Sequence, residues 1–191
     1  MLLASITFKL LIPLILGSEI NISKYKAVLL HRHNFIRQSR NKCEHTYMPP
    51  SETELTDLIW DDGLAITAQM YAKRCRNVIS SPHERTTCKW KSVGQNVAEV
   101  GEIKDAPALW RDGARYYEYK DDLCTKENDE YYCDSFKQIV YANTTHIGCG
   151  AHLCNENIDS KKYIVVCNYA LAAHGRPYAD GTITRCQMSP S

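Results

Sequence analysis

Apolar residues recur at helical spacing through the first two thirds of the chain, whereas the last third holds strand-like runs. Helical spacing predicts a first helix from Ser23, a favourable N-cap, to about residue 40, with the apolar stripe Tyr25, Val28, Leu29, Phe35 and Ile36. A second helix is predicted from Asp61 and Asp62, with the stripe Leu64, Ala65, Ala68, Ala72, Cys75 and Ile79. A third is predicted from Asp105, with Pro107 in its first turn and the inward-facing residues Leu109, Trp110, Ala114 and Tyr117.

The remaining pattern predicts strands over 92–100, 145–153 and 161–169, and a short helix over 134–141. An aromatic-rich span, 116–136, precedes that helix. Helices at the front and strands at the back, without strand–helix–strand alternation, indicate an α+β fold.

The N-terminal segment has the pattern of a secretory signal. Residues 1–9 carry one positive charge, 10–16 are apolar, and Gly17 and Ser18 are small. The apolar run is far shorter than the ~20 residues of a membrane-spanning helix, so we expect no stable membrane insertion. The predicted organisation is a signal peptide at 1–18 and one domain at 19–191.

The net charge is +1 and charged residues make up 24% of the chain. This balance gives neither the basic surface of a nucleic-acid-binding protein nor a polybasic membrane patch. We therefore expect no nucleic-acid partner.

Nine cysteines follow the predicted signal, and no C-x-x-C pair occurs among them. In an oxidising compartment this pattern indicates disulfides rather than zinc ligands. Cys124 and Cys133 are close enough in sequence to predict a local pair. Because nine is odd, one thiol is left free or forms a covalent homodimer. Asn21 and Asn143 begin glycosylation sequons.

Five motifs follow one another in a recognisable order. They are His33-Asn34-x-x-Arg37, Trp60-Asp61, Gly94-Gln95-Asn96, Ile147-Gly148-Cys149-Gly150 and Val166-Cys167-Asn168-Tyr169. In these motifs the chain resembles the CAP superfamily of cysteine-rich secretory, antigen 5 and pathogenesis-related 1 proteins. The aromatic insert and extra cysteines look most like the venom allergen-like proteins of flukes. The resemblance implies a three-layer α-β-α sandwich linked by disulfides Cys75–Cys149 and Cys154–Cys167. It leaves Cys43, Cys88 and Cys186 unassigned.

Many members of this family hold two histidines and two glutamates in a central cavity, sometimes with zinc. The corresponding positions here are His83, Gln95, Gly113 and Ser135. One histidine cannot replace the three or four ligands of a stable zinc site. Glu84 and Glu99 are the remaining carboxylates that could enter the cavity. His31 and His33 diverge by ~200° on a helix and cannot share an ion.

The sequence gives equally weak support for other kinds of catalytic site. Ser135 lacks a nucleophile turn of the G-x-S-x-G type, and an unpaired cysteine is more simply a surface or dimer-forming thiol. We therefore predict a protein that is not an enzyme and has no cofactor.

Family members without catalysis act by binding. Some carry sterols near the loop before the short helix, and some hold fatty acids between the first helix and that short helix. The matching positions here are Tyr116, Tyr117, Tyr119, Tyr131 and Tyr132 in the loop, and Leu29, His33, Phe136 and Val140 between the helices. The alternative is that these residues are ordinary core and surface residues. We expect a sterol or fatty-acid carrier. The second hypothesis is an effector that engages host or partner proteins through its loops, and the least favoured is a zinc-dependent enzyme or switch.

Overall fold

The computed structural model describes residues 20–41, 49–129, 131–155 and 160–179. The predicted signal peptide, Cys43 and Cys186 lie outside these ranges. The helices are α1 (Ser23–Asn41), α2 (Asp62–Ala72), α3 (Pro82–Arg85), α4 (Ala106–Arg111) and α5 (Asp134–Val140). The strands are β1 (Ile59–Trp60), β2 (Gly94–Val100), β3 (Tyr117–Glu118), β4 (Leu123–Cys124), β5 (His146–Asn155) and β6 (Lys162–Ala170). Single 3-10 turns precede and follow α4, at Ile103–Asp105 and Asp112–Arg115.

Four strands form the central sheet in the order β1-β5-β6-β2, with β1 parallel to β5 and the other pairs antiparallel. Helix α2 packs on one face, and α1, α4 and α5 lie together on the other side. Glycines in β5 allow α2 to approach closely, because a Cβ at Gly150 would lie 2.3 Å from the Gln69 backbone. The α+β class and the α-β-α sandwich are therefore confirmed.

Arg37 of α1 connects these layers from a fully buried position. Its Nη1 donates to the carbonyls of Ile139 and Tyr141 at 2.9 and 2.8 Å, at the C-terminal end of α5. Its Nε donates to the Thr56 carbonyl at 2.8 Å, and its Nη2 to the Thr144 carbonyl at 3.3 Å. One guanidinium thus donates to four carbonyls, one at residue 56 and three within residues 139–144.

Helix α2 ends earlier than its apolar stripe predicts. Backbone bonds from Arg74 to Tyr71 and from Cys75 to Ala72 tighten its last turn, and Cys75 takes a positive φ of 54°. Cys75 and Ile79 are consequently exposed, so their predicted place on a buried helical face is wrong. The inward position predicted for Leu109 is also wrong, because this side chain is 48% exposed.

The disulfide pairing implied by the resemblance is wrong, although its four cysteines are all bonded. Cys149 pairs with Cys167, and Cys75 pairs with Cys154. The register of β5 and β6 places Cys149 and Cys167 directly opposite each other, with Cα atoms 4.1 Å apart. Cys154 falls at an irregularity in the same ladder, where it meets the end of α2 instead of a strand neighbour. The local pair Cys124–Cys133 is present as predicted.

Candidate functional site

Gln95 lies on β2, at the first glutamate position of the family cavity, and is buried. Its Oε1 accepts a hydrogen bond from the Ser80 backbone N–H at 2.7 Å, and its Nε2 donates to Asn168 Oδ1 at 2.9 Å. Asn168 is fixed in turn, because its Nδ2 donates to Thr67 Oγ1 and to the Leu64 carbonyl. Both ends of the Gln95 amide therefore have partners that a carboxylate could not satisfy together.

Gly113, at the second glutamate position, lies in the 3-10 turn after α4. A Cβ at this position would lie 2.9 Å from the Tyr132 carbonyl oxygen and 3.1 Å from Cys133 Cα. The loop closed by the Cys124–Cys133 disulfide therefore fills the space that a glutamate side chain would need.

The two histidine positions, 83 and 135, do not supply a metal ligand to the cavity either. His83 is exposed on α3. Ser135 contributes its backbone carbonyl, which accepts a hydrogen bond from Asn96 Nδ2 at 2.8 Å. The nearby carboxylates are engaged elsewhere, since Glu84 bonds to Ser81 and Arg74 and Glu99 pairs with Lys162 at 2.9 Å. The bonds from Ser81 and Arg74 lower the pKa of Glu84 to about 2.

A cavity of about 400 Å³ lies between β2, α5 and residues 172–175. Gln95 is the one member of the four family positions among its lining residues, and its charged lining residues are Arg85, Lys137 and Asp134. Within the described ranges, no group of three His, Cys, Asp or Glu side chains could hold a metal ion. The residues present therefore do not fit the zinc that the family resemblance implies.

We expect Gln95→Glu to lower the free energy of unfolding by about 2 kcal/mol at pH 7 without creating a zinc site. The carboxylate would face the Asn168 carbonyl oxygen without a donor, which costs about 1–3 kcal/mol for a buried group. The loss should shrink at pH 4, where a protonated glutamate can donate again. Urea unfolding at both pH values and metal analysis after dialysis against zinc would check this. Stoichiometric retained zinc would contradict our interpretation of the cavity.

The predicted lipid contacts between α1 and α5 lie in the core. Leu29, His33 and Val140 have no exposed surface, and Phe136 is 1% exposed. His33 Nδ1 lies 2.7 Å from the Leu29 carbonyl, and its Nε2 lies 2.8 Å from Tyr169 Oη. Because the carbonyl can only accept, Nδ1 carries the proton and Tyr169 donates to Nε2. The structure thus brings these four residues together as packed side chains.

The predicted tyrosine loop splits into buried and exposed members. Tyr117 and Tyr119 are buried, whereas Tyr131 is 70% exposed. The short hairpin β3–β4 carries the loop, and the Cys124–Cys133 disulfide ties it to the start of α5. The sequence places these tyrosines in one loop but does not reveal which of them reach solvent.

An ion pair joins this loop to α5. Asp122 Oδ1 accepts hydrogen bonds from Tyr117 Oη at 2.6 Å and from Lys137 Nζ at 2.7 Å. Burial opposes ionisation of Asp122, but these two bonds together with the charge of Lys137 lower its pKa. Burial and the Asp122 bond raise the pKa of Tyr117 well above its ordinary value. The Asp122 carboxylate is therefore ionised at neutral pH.

A groove of about 270 Å³ opens beside this ion pair. Its lining includes the large side chains of Leu123 and Tyr131, which are 55% and 70% exposed. Its charged lining residues are Asp122, Asp134 and Lys137. Leu123 and Lys137 carry no signal in the sequence, because they line the groove with Tyr117 and Tyr131 only once the hairpin has folded over α5.

Cys88 is exposed and is the one free cysteine in the described part of the chain. Any intermolecular disulfide from this part of the chain would use that thiol. Asn21 and Asn143 are exposed as well, and their glycosylation stays a prediction.

These features define a disulfide-linked α-β-α sandwich whose central cavity, as far as it is described, has lost its metal ligands. The chain belongs to the CAP, or cysteine-rich secretory protein, family, whose model matches residues 30–169. Among curated relatives, GLIPR1-like protein 1 of Bos taurus is 27% identical over 176 residues, which are 85% of this chain and 70% of that protein. Venom allergen 5 of Vespa mandarinia is 31% identical over 163 residues, 78% of this chain and 75% of that protein.

Among solved structures, the chain is similar to venom allergen-like protein 4 of Schistosoma mansoni. The TM-score is 0.72 and the sequence identity 30%, over 84% of this chain and 97% of that one. The resemblance to the venom allergen-like proteins of flukes is therefore confirmed.

Proposed function

We propose that this chain is a secreted CAP-domain protein that binds an amphipathic lipid, a sterol or a fatty acid, and has no enzymatic activity. The observation that carries the proposal is the groove beside the tyrosine loop, which is lined by both apolar and charged side chains. Covering Leu123 and Tyr131 with an apolar ligand would remove large exposed side chains from water. Lys137 and Asp122 would contact the hydroxyl or carboxylate of the lipid.

The size of the groove limits how a lipid would lie. A volume of about 270 Å³ is slightly below the usual range for ligand pockets, so the groove would hold one end of a sterol or fatty acid. The other predicted location, between α1 and α5, offers no open space at Leu29, His33 or Val140. A fatty acid there would require the two helices to separate, and we therefore place the ligand at the groove.

Secretion is supported by the signal pattern of residues 1–18 and by three disulfides within the described ranges. No helix in those ranges is long and apolar enough to cross a bilayer. The absence of catalysis is supported by the family cavity, where Gln95 and Gly113 replace both glutamates.

Leu123→Asp should reduce lipid binding about tenfold, because burial of a leucine contributes at least ~1.5 kcal/mol and the new charge would lie near Asp122. Native mass spectrometry of the secreted protein with cholesterol or palmitate would measure the bound fraction. The matched control is Ile66→Asp, an equally apolar residue that is 61% exposed on α2 and lies outside the groove.

Two results would contradict the proposal: no lipid retained by the unmodified protein, or equal losses in the two aspartate variants. Unchanged lipid binding by Leu123→Asp, with loss of a protein partner, would favour the effector hypothesis instead. That hypothesis draws on the same exposed residues, Leu123 and Tyr131.

A further inference from the structure

Two tyrosines of the loop enclose a positive charge. Tyr116 and Tyr132 meet edge to face, with ring centroids 5.5 Å apart. The ammonium of Lys126 lies 4.4 Å from the Tyr116 centroid and 5.1 Å from the Tyr132 centroid. A carboxylate completes the arrangement, because Tyr132 Oη donates to Asp112 Oδ2 at 3.0 Å. We name Tyr116, Tyr132 and Asp112 the tyrosine cage.

We propose that the tyrosine cage is a binding site for a trimethylammonium group, presented by choline headgroups on a phospholipid surface, and that Lys126 occupies the cage until this group displaces it. A cation within about 6 Å of an aromatic centroid is attracted by the negative face of the ring, and quaternary ammonium ligands are recognised by such cages. Lys126 demonstrates that the cage accepts a cation.

A trimethylammonium group matches the cage better than a primary ammonium does. Its charge is spread over methyl groups, so it is dehydrated more easily and needs no hydrogen-bond acceptor. Lys126 retains one acceptor in the cage, the Tyr116 hydroxyl at 3.3 Å, and that hydrogen bond raises its pKa. The nearby carboxylate of Asp112 favours either cation.

Displacement of Lys126 needs only a side-chain rotation. The residue is partly exposed and lies between β4 and the next turn, and its ammonium makes no ion pair among the described residues. The neighbouring cation Arg115 is directed to the other oxygen of Asp112, with Nε 3.2 Å from Oδ1. Its side chain is 78% exposed, so it does not close the cage.

The cage is separate from the proposed lipid groove, because none of its three residues lines that groove. Phosphocholine has no apolar body and therefore tests the cage alone. Failure to bind sterol would leave this inference standing, and failure to bind choline would leave the lipid groove standing.

The test measures binding to phosphatidylcholine vesicles by cosedimentation. Lys126→Ala should bind about fivefold more tightly than the unmodified protein, because the internal competitor is gone. Tyr132→Leu should lose most of the binding, whereas Tyr132→Phe, which keeps the ring, should retain it. The matched control is Lys120→Ala, which removes the same charge from an exposed lysine of this loop outside the cage and should leave binding unchanged.

Vesicles of phosphatidylglycerol distinguish binding by the tyrosine cage from binding by simple charge attraction. Loss of a lysine weakens binding to an anionic surface, so Lys126→Ala should bind these vesicles more weakly while it binds phosphatidylcholine more tightly. No gain on phosphatidylcholine, or the same gain in the double variant Lys126→Ala with Tyr132→Leu, would overturn the proposal.

Soluble phosphocholine distinguishes the source of the ligand. Competition by phosphocholine for vesicle binding supports a headgroup site. Binding of phosphocholine by Lys126→Ala without vesicle binding would support the chemistry of the cage but overturn the lipid surface as its source.

Discussion

Arg37→Met is expected to lower the free energy of unfolding by about 4 kcal/mol or more. Methionine fills similar space but donates no hydrogen bond, so the carbonyls of Thr56, Ile139 and Thr144 would lose the Arg37 donor, whereas that of Tyr141 would keep the Thr144 N–H. Each buried polar group without a partner costs about 1–3 kcal/mol. Burial already lowers the pKa of Arg37 to about 10, yet the group remains charged at pH 7 and partly neutralises the C-terminal end of α5.

Urea unfolding followed by circular dichroism, with disulfides intact, would measure this effect. Arg37→Lys should recover only part of the loss, because one ammonium has three donors at a single nitrogen and cannot reach all four carbonyls. The control is Arg32→Met on the same helix, where the partly exposed guanidinium lies 3.4 Å from Asp105 and the expected change is below about 0.5 kcal/mol. A loss below about 1 kcal/mol for Arg37→Met would contradict the role we assign to this residue.

Local pattern predicts the elements whose stability is local. The first helix begins at Ser23 as its sequence predicts, and β5 and β6 fall within one residue or two of the expected runs. The end of α2 is different, because the positive φ of Cys75 accompanies a disulfide to a strand 79 residues away. Periodicity cannot detect such a constraint, and the disulfide pairing likewise depends on a register that spacing does not define.

In the candidate site, too, single-residue substitutions can be predicted from the sequence, whereas contacts between distant residues cannot. Substitution of the family glutamates at Gln95 and Gly113 is visible in the sequence and predicts the loss of the metal site. The sequence does not show that a glutamate at 113 would collide with Cys133. This contact arises only when the disulfide loop folds against the 3-10 turn. The tyrosine cage is equally hidden, since it joins Asp112, Lys126 and Tyr132 across that loop.

His33 illustrates how burial changes the meaning of a motif residue. The family motif and its place between α1 and α5 made it a candidate lipid contact, whereas the structure gives it two hydrogen-bond partners and no exposed surface. Tyr169, which donates to His33 Nε2, also accepts a hydrogen bond from Asn96 Nδ2 at 3.1 Å. The residue therefore links α1 to β6 and β2 through a network that depends on a neutral imidazole.

Acidification should accordingly weaken the fold through His33. Burial, assisted by the charge of Arg37 and opposed by the Leu29 hydrogen bond, lowers the pKa of His33 from 6.5 to about 4. Between these values the unfolded chain binds the proton and the folded chain does not, so stability falls as the pH drops from about 6.5 to 4. The shift corresponds to about 3 kcal/mol over that range.

Urea unfolding of the unmodified protein and of His33→Gln across pH 4–7 would isolate this contribution. Glutamine is uncharged at every pH, so the variant should be less stable at pH 7 but lose about 3 kcal/mol less than the unmodified protein on acidification. Because His146 and the acidic groups are present in both proteins, their titration cancels in the difference. His31→Gln, at an exposed position of the same helix, should follow the unmodified protein. Parallel pH curves for His33→Gln and the unmodified protein would show that the imidazole does not control acid stability.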